Sequence, residues 1–255
     1  MKRQIIYYFD LLTTLTKKEI KVRYRNSILG YLWSIAHPLA FAFVFYVAFK
    51  VVMKIDVENY TIFLISGLFP WQWFSNSVNS SSGIFLSNAN LIKKVNFPLS
   101  TLPLTSLLND AFHFLFSIPV IALFVILHKV SVKLSWLYGI PILMLIQLLF
   151  IYGIALAISS INLFFRDMER LVIIFTTLLF YFTPIFYPET MIPENYQFLV
   201  KFNPLACLMI NWRNLFLTGN LNELYLLLSI LYSIFSLTFG YILFRKLSIR
   251  FAEVL

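Results

Sequence analysis

Of 255 residues, 60% are hydrophobic and only 12% are charged, and the mean hydropathy is +0.82. Such a chain is solvated by lipid, which excludes a soluble globular domain. The single cysteine, Cys207, excludes an internal disulfide and a cysteine metal cluster. The net charge of +9 comes from basic residues spread along the chain rather than gathered in one domain, so it carries no nucleic-acid footprint.

Residues 1–30 are amphipathic rather than spanning. At about 100° per residue, Ile5, Tyr8, Phe9, Leu12, Leu15, Ile20 and Val22 share one arc, while Arg3, Asp10, Lys17, Lys18, Lys21 and Arg25 share the opposite one. This predicts a helix lying on the membrane surface, with its basic face among anionic headgroups at about 1 kcal/mol per well-placed Lys or Arg. Glu19 and Arg23 stand at i, i+4 and can pair or face a protein groove. The segment reads either as a plain lipid anchor or as a contact for a substrate headgroup. It lacks the apolar core of a cleaved signal, so no cleavage is expected.

Six apolar runs follow, near residues 31–52, 61–85, 99–127, 134–160, 171–187 and 221–244. Their lengths suit helices, which satisfy their own backbone groups in lipid, so the expected fold is an all-α bundle of six transmembrane helices. The fifth run is short and carries Pro184 near its end, predicting a kink or an early exit. Fourteen of the 20 Lys and Arg residues fall on one side of this arrangement, the side of both termini, which the positive-inside tendency makes cytoplasmic. The expected organisation is one domain: an interface segment over 1–30, the bundle over 31–244 and a cytoplasmic tail over 245–255.

Between the second and third runs lies a short polar and basic break. Asn88 is the expected N-cap of a helix over 89–95, and Pro98 and Pro103 stop it and start the next span. Lys93 and Lys94 place this elbow on the cytoplasmic side, where it reads as an ordinary loop or as a docking helix for a soluble partner. In the docking reading, Leu91 and Ile92 supply the apolar contact.

The second run carries Ser75, Asn76, Ser77, Asn79, Ser80, Ser81 and Ser82 with Gly83, too many polar groups to face lipid. They predict either close helix packing or a hydrated pathway. Asp110 and His113 in the third run share one helical face, as functional groups or as a pairing with a neighbouring helix. Phe69, Trp71, Trp73, Tyr181, Phe182 and Phe186 fall in the outer half of the bundle. They suit an interfacial belt or an aromatic channel wall along which sugars slide.

The 188–220 connection is far longer than the usual 4–6 residues and too apolar for disorder. Pro204–Leu217 is too short to cross, at about 21 Å against a core of about 30 Å. Two short re-entrant helices, over 194–202 and 204–217 and divided at Asn203-Pro204, are expected to dip in from outside. They either cap an outer mouth with Asn203, Pro204, Cys207, Trp212 and Arg213 or pack peripherally, and Cys207 is expected to be reachable by an aqueous thiol reagent.

No glycine is followed by lysine, so the chain has no GxxxxGK phosphate loop, and GxSxG and HExxH are also missing. His37, His113 and His128 fall at three depths, which argues against a metal site. Energy must come from a partner or a gradient. A membrane-embedded transferase acting on lipid-linked sugar would need a carboxylate cluster at a water interface, for which Asp110 alone is poor evidence.

The run Arg23-Tyr24-Arg25-Asn26-Ser27-Ile28-Leu29-Gly30-Tyr31-Leu32-Trp33, with Pro38 after it, resembles the RYxxSxLGxxW signature of polysaccharide-exporting ABC transporter permeases of the Wzm, KpsM and TagG type. Pro184-Ile185-Phe186-Tyr187, Asn203-Pro204 and Phe251-Ala252-Glu253-Val254-Leu255 also match, and the resemblance covers the whole chain. It implies a transport subunit rather than an enzyme, forming a homodimer with two ATPase subunits that bind ATP and Mg. The implied cargo is a lipid-pyrophosphate-linked polysaccharide, O antigen first and capsule or teichoic acid as the alternatives. The resemblance also implies coupling to the ATPase through Ala89, Asn90, Leu91, Ile92, Lys93, Lys94 and Val95. Secondary contacts come from Arg166, Asp167 and Arg170 beside Asn162, and entry of the lipid-linked sugar occurs near Lys17, Lys18, Lys21, Arg23 and Arg25.

Overall fold

The computed structural model describes residues 2–23, 32–54 and 56–254, and every regular element among them is a helix. Helix α1 spans Lys2–Arg23, and α2, Trp33–Phe45, runs on into a π-helical stretch, Tyr46–Val52. Next come α3 (Tyr60–Ser82), α4 (Ile84–Ser87), α5 (Ala89–Lys94), α6 (Thr101–Leu127) and α7 (Trp136–Phe164). Helix α8 is Met168–Phe182; two 3-10 turns, Glu189–Met191 and Glu194–Tyr196, lead to α9 (Phe198–Phe202) and α10 (Pro204–Leu217). The described chain closes with α11 (Glu223–Ser248) and α12 (Phe251–Val254).

Helices occupy the apolar runs, but among the described residues only α6, α7 and α11, of 27, 29 and 26 residues, are both long and apolar enough to cross a membrane. Helix α3 has the length, 23 residues, but its serine and asparagine turns dilute its apolarity. It is instead the bundle's central post: every residue from Ile62 to Trp71 is buried. Helix α8 stops after 15 residues, about 22 Å. The proline explains this ending, because Thr183, just before Pro184, is pushed into extended backbone (φ −99°, ψ 131°).

Three boundaries differ from expectation. The second run breaks at Gly83 rather than continuing to residue 85, so α4 and α5 form a separate elbow. The expected helix over 194–202 is a 3-10 turn followed by the five-residue α9. Asn88 stands at the N-cap of α5 without capping it, since its amide donates backward to the Ile84 carbonyl at 2.9 Å.

Two apolar clusters organise the interior. The larger is built on α3, α6, α7 and α10, and the smaller sits at the elbow end, where Phe85, Phe97, Leu163, Phe244 and Phe251 meet. Leu11 and Leu15 of α1 pack against this second cluster, while Tyr8 and Phe9 are exposed. The half-buried residues of α1, from Leu11 to Ile20, lie on the side of the apolar arc that its sequence suggests. Helices α7 and α11 approach backbone to backbone: a Cβ on Gly240 would collide with the Gly153 carbonyl, and one on Gly153 with the backbone of Ser236. The Ser236 hydroxyl donates to the Phe150 carbonyl at 2.9 Å across the same crossing. Replacing Gly240 with Val is expected to force these helices apart and cost at least about 1–3 kcal/mol. A lower melting temperature of the detergent-purified protein would register it, and an unchanged one would refute the close crossing.

Candidate functional site

Helix α8 ends short of the roughly 30 Å thickness of a bilayer core, yet the chain beyond it, Thr183, Pro184, Ile185 and Phe186, is buried. Irregular backbone in apolar surroundings needs partners for its polar groups. Helix α10 supplies them. The Asn203 amide donates to the Phe182 carbonyl at 3.3 Å and to the Thr183 hydroxyl at 3.1 Å. Its oxygen accepts from the Leu205 and Ala206 amides, capping α10 where Pro204 has no N–H to satisfy.

One turn short of the other end of α10, Arg213 donates through Nη2 to the carbonyls of Pro184 (2.7 Å) and Ile185 (2.8 Å), and through Nε to Phe63 (3.4 Å). The guanidinium lies 3.7 Å over the Phe63 ring, and Gly67 leaves it room, since a Cβ there would stand 3.1 Å from Nη2. Tyr60 donates to the Phe186 carbonyl at 2.9 Å. The break is therefore held by a charged fork, an amide and a phenol.

Asn203, Pro204 and Arg213, expected at an outer mouth, thus come together on this break. Trp212 points elsewhere: its indole donates to Gln147 Oε1 at 2.7 Å, and Gln147 donates to the Pro70 carbonyl at 2.8 Å. Cys207 is fully buried, its Sγ 3.7 Å from the carbonyls of Val200 and Lys201. This corrects the expectation that an aqueous reagent reaches the thiol.

At the elbow end, Asn90, Lys93, Lys94 and Val95 are exposed, with Ala89 half-buried. Leu91 and Ile92, expected to face a partner, pack instead on the protein's own elbow cluster. Both side chains remain half-buried, so one part of each faces the cluster and another stays open. Arg166, Asp167 and Arg170 stand exposed around the start of α8. Lys17, Lys18 and Lys21 are exposed on α1 and Arg23 ends that helix, while Arg25 and the signature residues 24–31 lie outside the described residues.

The aromatic set divides. Phe69, Trp71 and Trp73 are core residues, Trp73 stacked on Phe114 at 5.2 Å, whereas Tyr181 and Phe182 face outward from α8. Asn76 is exposed, and Asn79, half-buried, donates to Ser75 and accepts from Thr176 of α8 at 3.4 Å. Ser77 donates to Asp110 Oδ2 at 3.0 Å and Ser80 meets Ser106 at 3.2 Å, so part of the serine run forms a polar seam between α3 and α6. His113 is half-buried one turn beyond Asp110.

Residues 10–217 match the ABC-2 type transporter family. The chain belongs to that family. Similar proteins include an O-antigen export system permease protein RfbA of Klebsiella pneumoniae, 47% identical over 257 residues that cover 100% of this chain and 98% of the relative. A protein of the same description from Myxococcus xanthus is 31% identical over 225 residues, covering 84% and 83% of the two chains. The polysialic acid transport protein KpsM of Escherichia coli is 25% identical over 216 residues, 81% of each. As an ABC-2 type transporter with long apolar helices, the chain is membrane-embedded, and its family role is transport rather than catalysis.

The sequence alone does not announce Tyr60, Gln147 or the role of Gly67, because their partners are carbonyls or side chains far along the chain. Replacing Arg213 with Gln, or Asn203 with Ala, is expected to leave break carbonyls unpaired at about 1–3 kcal/mol each. Thermal unfolding in detergent would show the loss, and wild-type melting of both variants would remove the break from this account.

Proposed function

We propose that this ABC-2 type transporter chain is the permease half of an ATP-driven exporter that moves a lipid-pyrophosphate-linked polysaccharide, O antigen, across a bacterial inner membrane. The observation that carries this reading is the 47% identity, end to end, with an O-antigen export permease. The lower identity to a polysialic acid transport protein makes capsule export the second reading. In this proposal six helices span the membrane (α2 with its π extension, α3, α6, α7, α8 and α11), both termini are cytoplasmic, and α9 and α10 re-enter from the outer face. Two copies form the channel with two ATPase subunits, which bind ATP and Mg. Asn76, Tyr181 and Phe182, exposed on one protomer, suit a path shared between two copies.

Coupling runs through the exposed side of α5, and Arg166, Asp167 and Arg170 add a second contact. The basic face of α1, with Lys17, Lys18 and Lys21 in the open, suits the pyrophosphate headgroup. The test of function is a strain lacking this chain. Surface O antigen should vanish while lipid-linked polymer accumulates inside, and the chain should restore it; loss of capsule with O antigen intact would favour the second reading.

Two variants separate docking from folding. Lys93→Glu with Lys94→Glu should leave the melting temperature unchanged yet release the ATPase from the purified complex, by reversing charge on an exposed surface. Leu91→Asp with Ile92→Asp should instead destabilise the permease itself by several kcal/mol, because those side chains pack inward. ATPase co-purifying at the wild-type ratio with the lysine variant would overturn the coupling role of α5.

Changing Lys17, Lys18 and Lys21 together to Gln should preserve membrane insertion, which the apolar helices drive, and lower export at matched protein level. Equal export would make the basic face dispensable.

A further inference from the structure

One polar contact at the α7–α8 junction reaches a part of the chain that lies far away in sequence, the end of α3. Asn162, fully buried in the last turn of α7, donates through Nδ2 to Glu169 Oε1 at 3.4 Å, while its own Oδ1 is buried without a partner. Glu169 sits in the first turn of α8, where the positive end of the helix favours a carboxylate. The same Oε1 lies over Gly83, the link between α3 and α4: a Cβ there would come within 2.5 Å of it. Gly83 has φ −90° and ψ 7°, a conformation open to residues with side chains, so its backbone does not require glycine; a side chain there would have to push the exposed Glu169 carboxylate aside. A buried amide with half its bonding unused calls for an explanation beyond its own packing, and orienting Glu169 is one.

Between its ends helix α8 meets the bundle along one face, through Val172, Thr176 and Phe180. Of its 15 residues only Val172 and Thr176 are buried, while Ile173, Ile174, Phe175, Leu178 and Phe182 stand outward. Its far end is pinned by Asn203, with Arg213 holding the backbone just beyond, and its near end meets Asn162 and Gly83 through Glu169. A stiff helix held at two ends passes a displacement of one end to the other.

We propose that Asn162, Glu169 and Gly83 form the joint through which movement of the α4–α5 elbow reaches α8 and, along it, the backbone break at 183–186. This rests on the reading of α5 as the ATPase-facing element. The three are positioning residues: they touch neither nucleotide nor cargo.

The test uses the full permease–ATPase complex and the deletion strain. Asn162→Asp sets two carboxylates against each other and should lower surface O antigen about tenfold at matched protein level, with the ATPase still bound at the wild-type ratio. Adding Glu169→Gln restores the hydrogen bond with donor and acceptor exchanged and should return export to within about threefold of wild type. A merely structural role would not produce loss of export in an intact complex followed by recovery on reversal of the pair.

Unchanged export with Asn162→Asp, no recovery in the double variant, or loss of the ATPase from the single variant each overturns the joint. Should Asn162→Asp fail to accumulate, Gly83→Ala decides. Loss of export in the wild-type background but no added loss beside Glu169→Ala supports the joint; an added loss in both backgrounds overturns it. Failure of the underlying reading looks different: the Lys93 and Lys94 reversal would then keep both ATPase and export, whatever the Asn162 variants do.

Discussion

A carbonyl without a donor is tolerable in water and costly in a membrane, and four consecutive residues after α8 leave the helix inside the bundle. The architecture on that side of the protein follows from satisfying them. Helix α10 does so from both of its ends, with Asn203 at its start and Arg213 near its finish, and Tyr60 adds a third donor from α3. Arg213 suits this use because a planar guanidinium presents several donors in fixed directions, can serve two neighbouring carbonyls at once, and can rest its face on Phe63. Lysine, a compact point charge, would not reproduce that geometry.

The same arrangement divides the bundle into a rigid part and a lightly held one. Helices α3, α6, α7 and α10 build the large core, α11 is fastened to α7 by the backbone-level contact at Gly153 and Gly240, and close-packed interiors of this kind switch between arrangements rather than bending gradually. Helix α8, largely exposed, belongs to the other class. A transporter that changes shape needs both a frame that holds and elements free to move against it.

Much of this was legible in the sequence, and the reasons differ residue by residue. The bounds of α10 follow from Asn203-Pro204, because an N-cap followed by proline is a local signal that acts over a few residues. The early end of α8 follows from Pro184 in the same way. The pairing of Asp110 with a neighbouring helix was one of two open readings, and Ser77 realises it.

What stayed hidden depends on contacts between distant segments. Arg213 binds carbonyls 28, 29 and 150 residues away, and carbonyls carry no side-chain signature. The inward turn of Leu91 and Ile92 is decided by a cluster that includes Leu11 and Phe251, which no reading of the elbow alone contains. Gly83 looks like one more small residue in a serine run until Glu169 is placed over it.

The meeting of α7 with α11 also bears on how the protein is made. Between these two helices in the chain lie α8, α9 and α10, so the Gly153–Gly240 crossing closes only after all three have been synthesised. Until α10 arrives, the carbonyls beyond α8 lack the donors of Asn203 and Arg213. Until α11 arrives, nothing clasps α10 against α7 from that side. A chain stalled before α10 would therefore leave the backbone break without two of its three donor residues, and one stalled before α11 would leave Gly153 without the helix that packs on it.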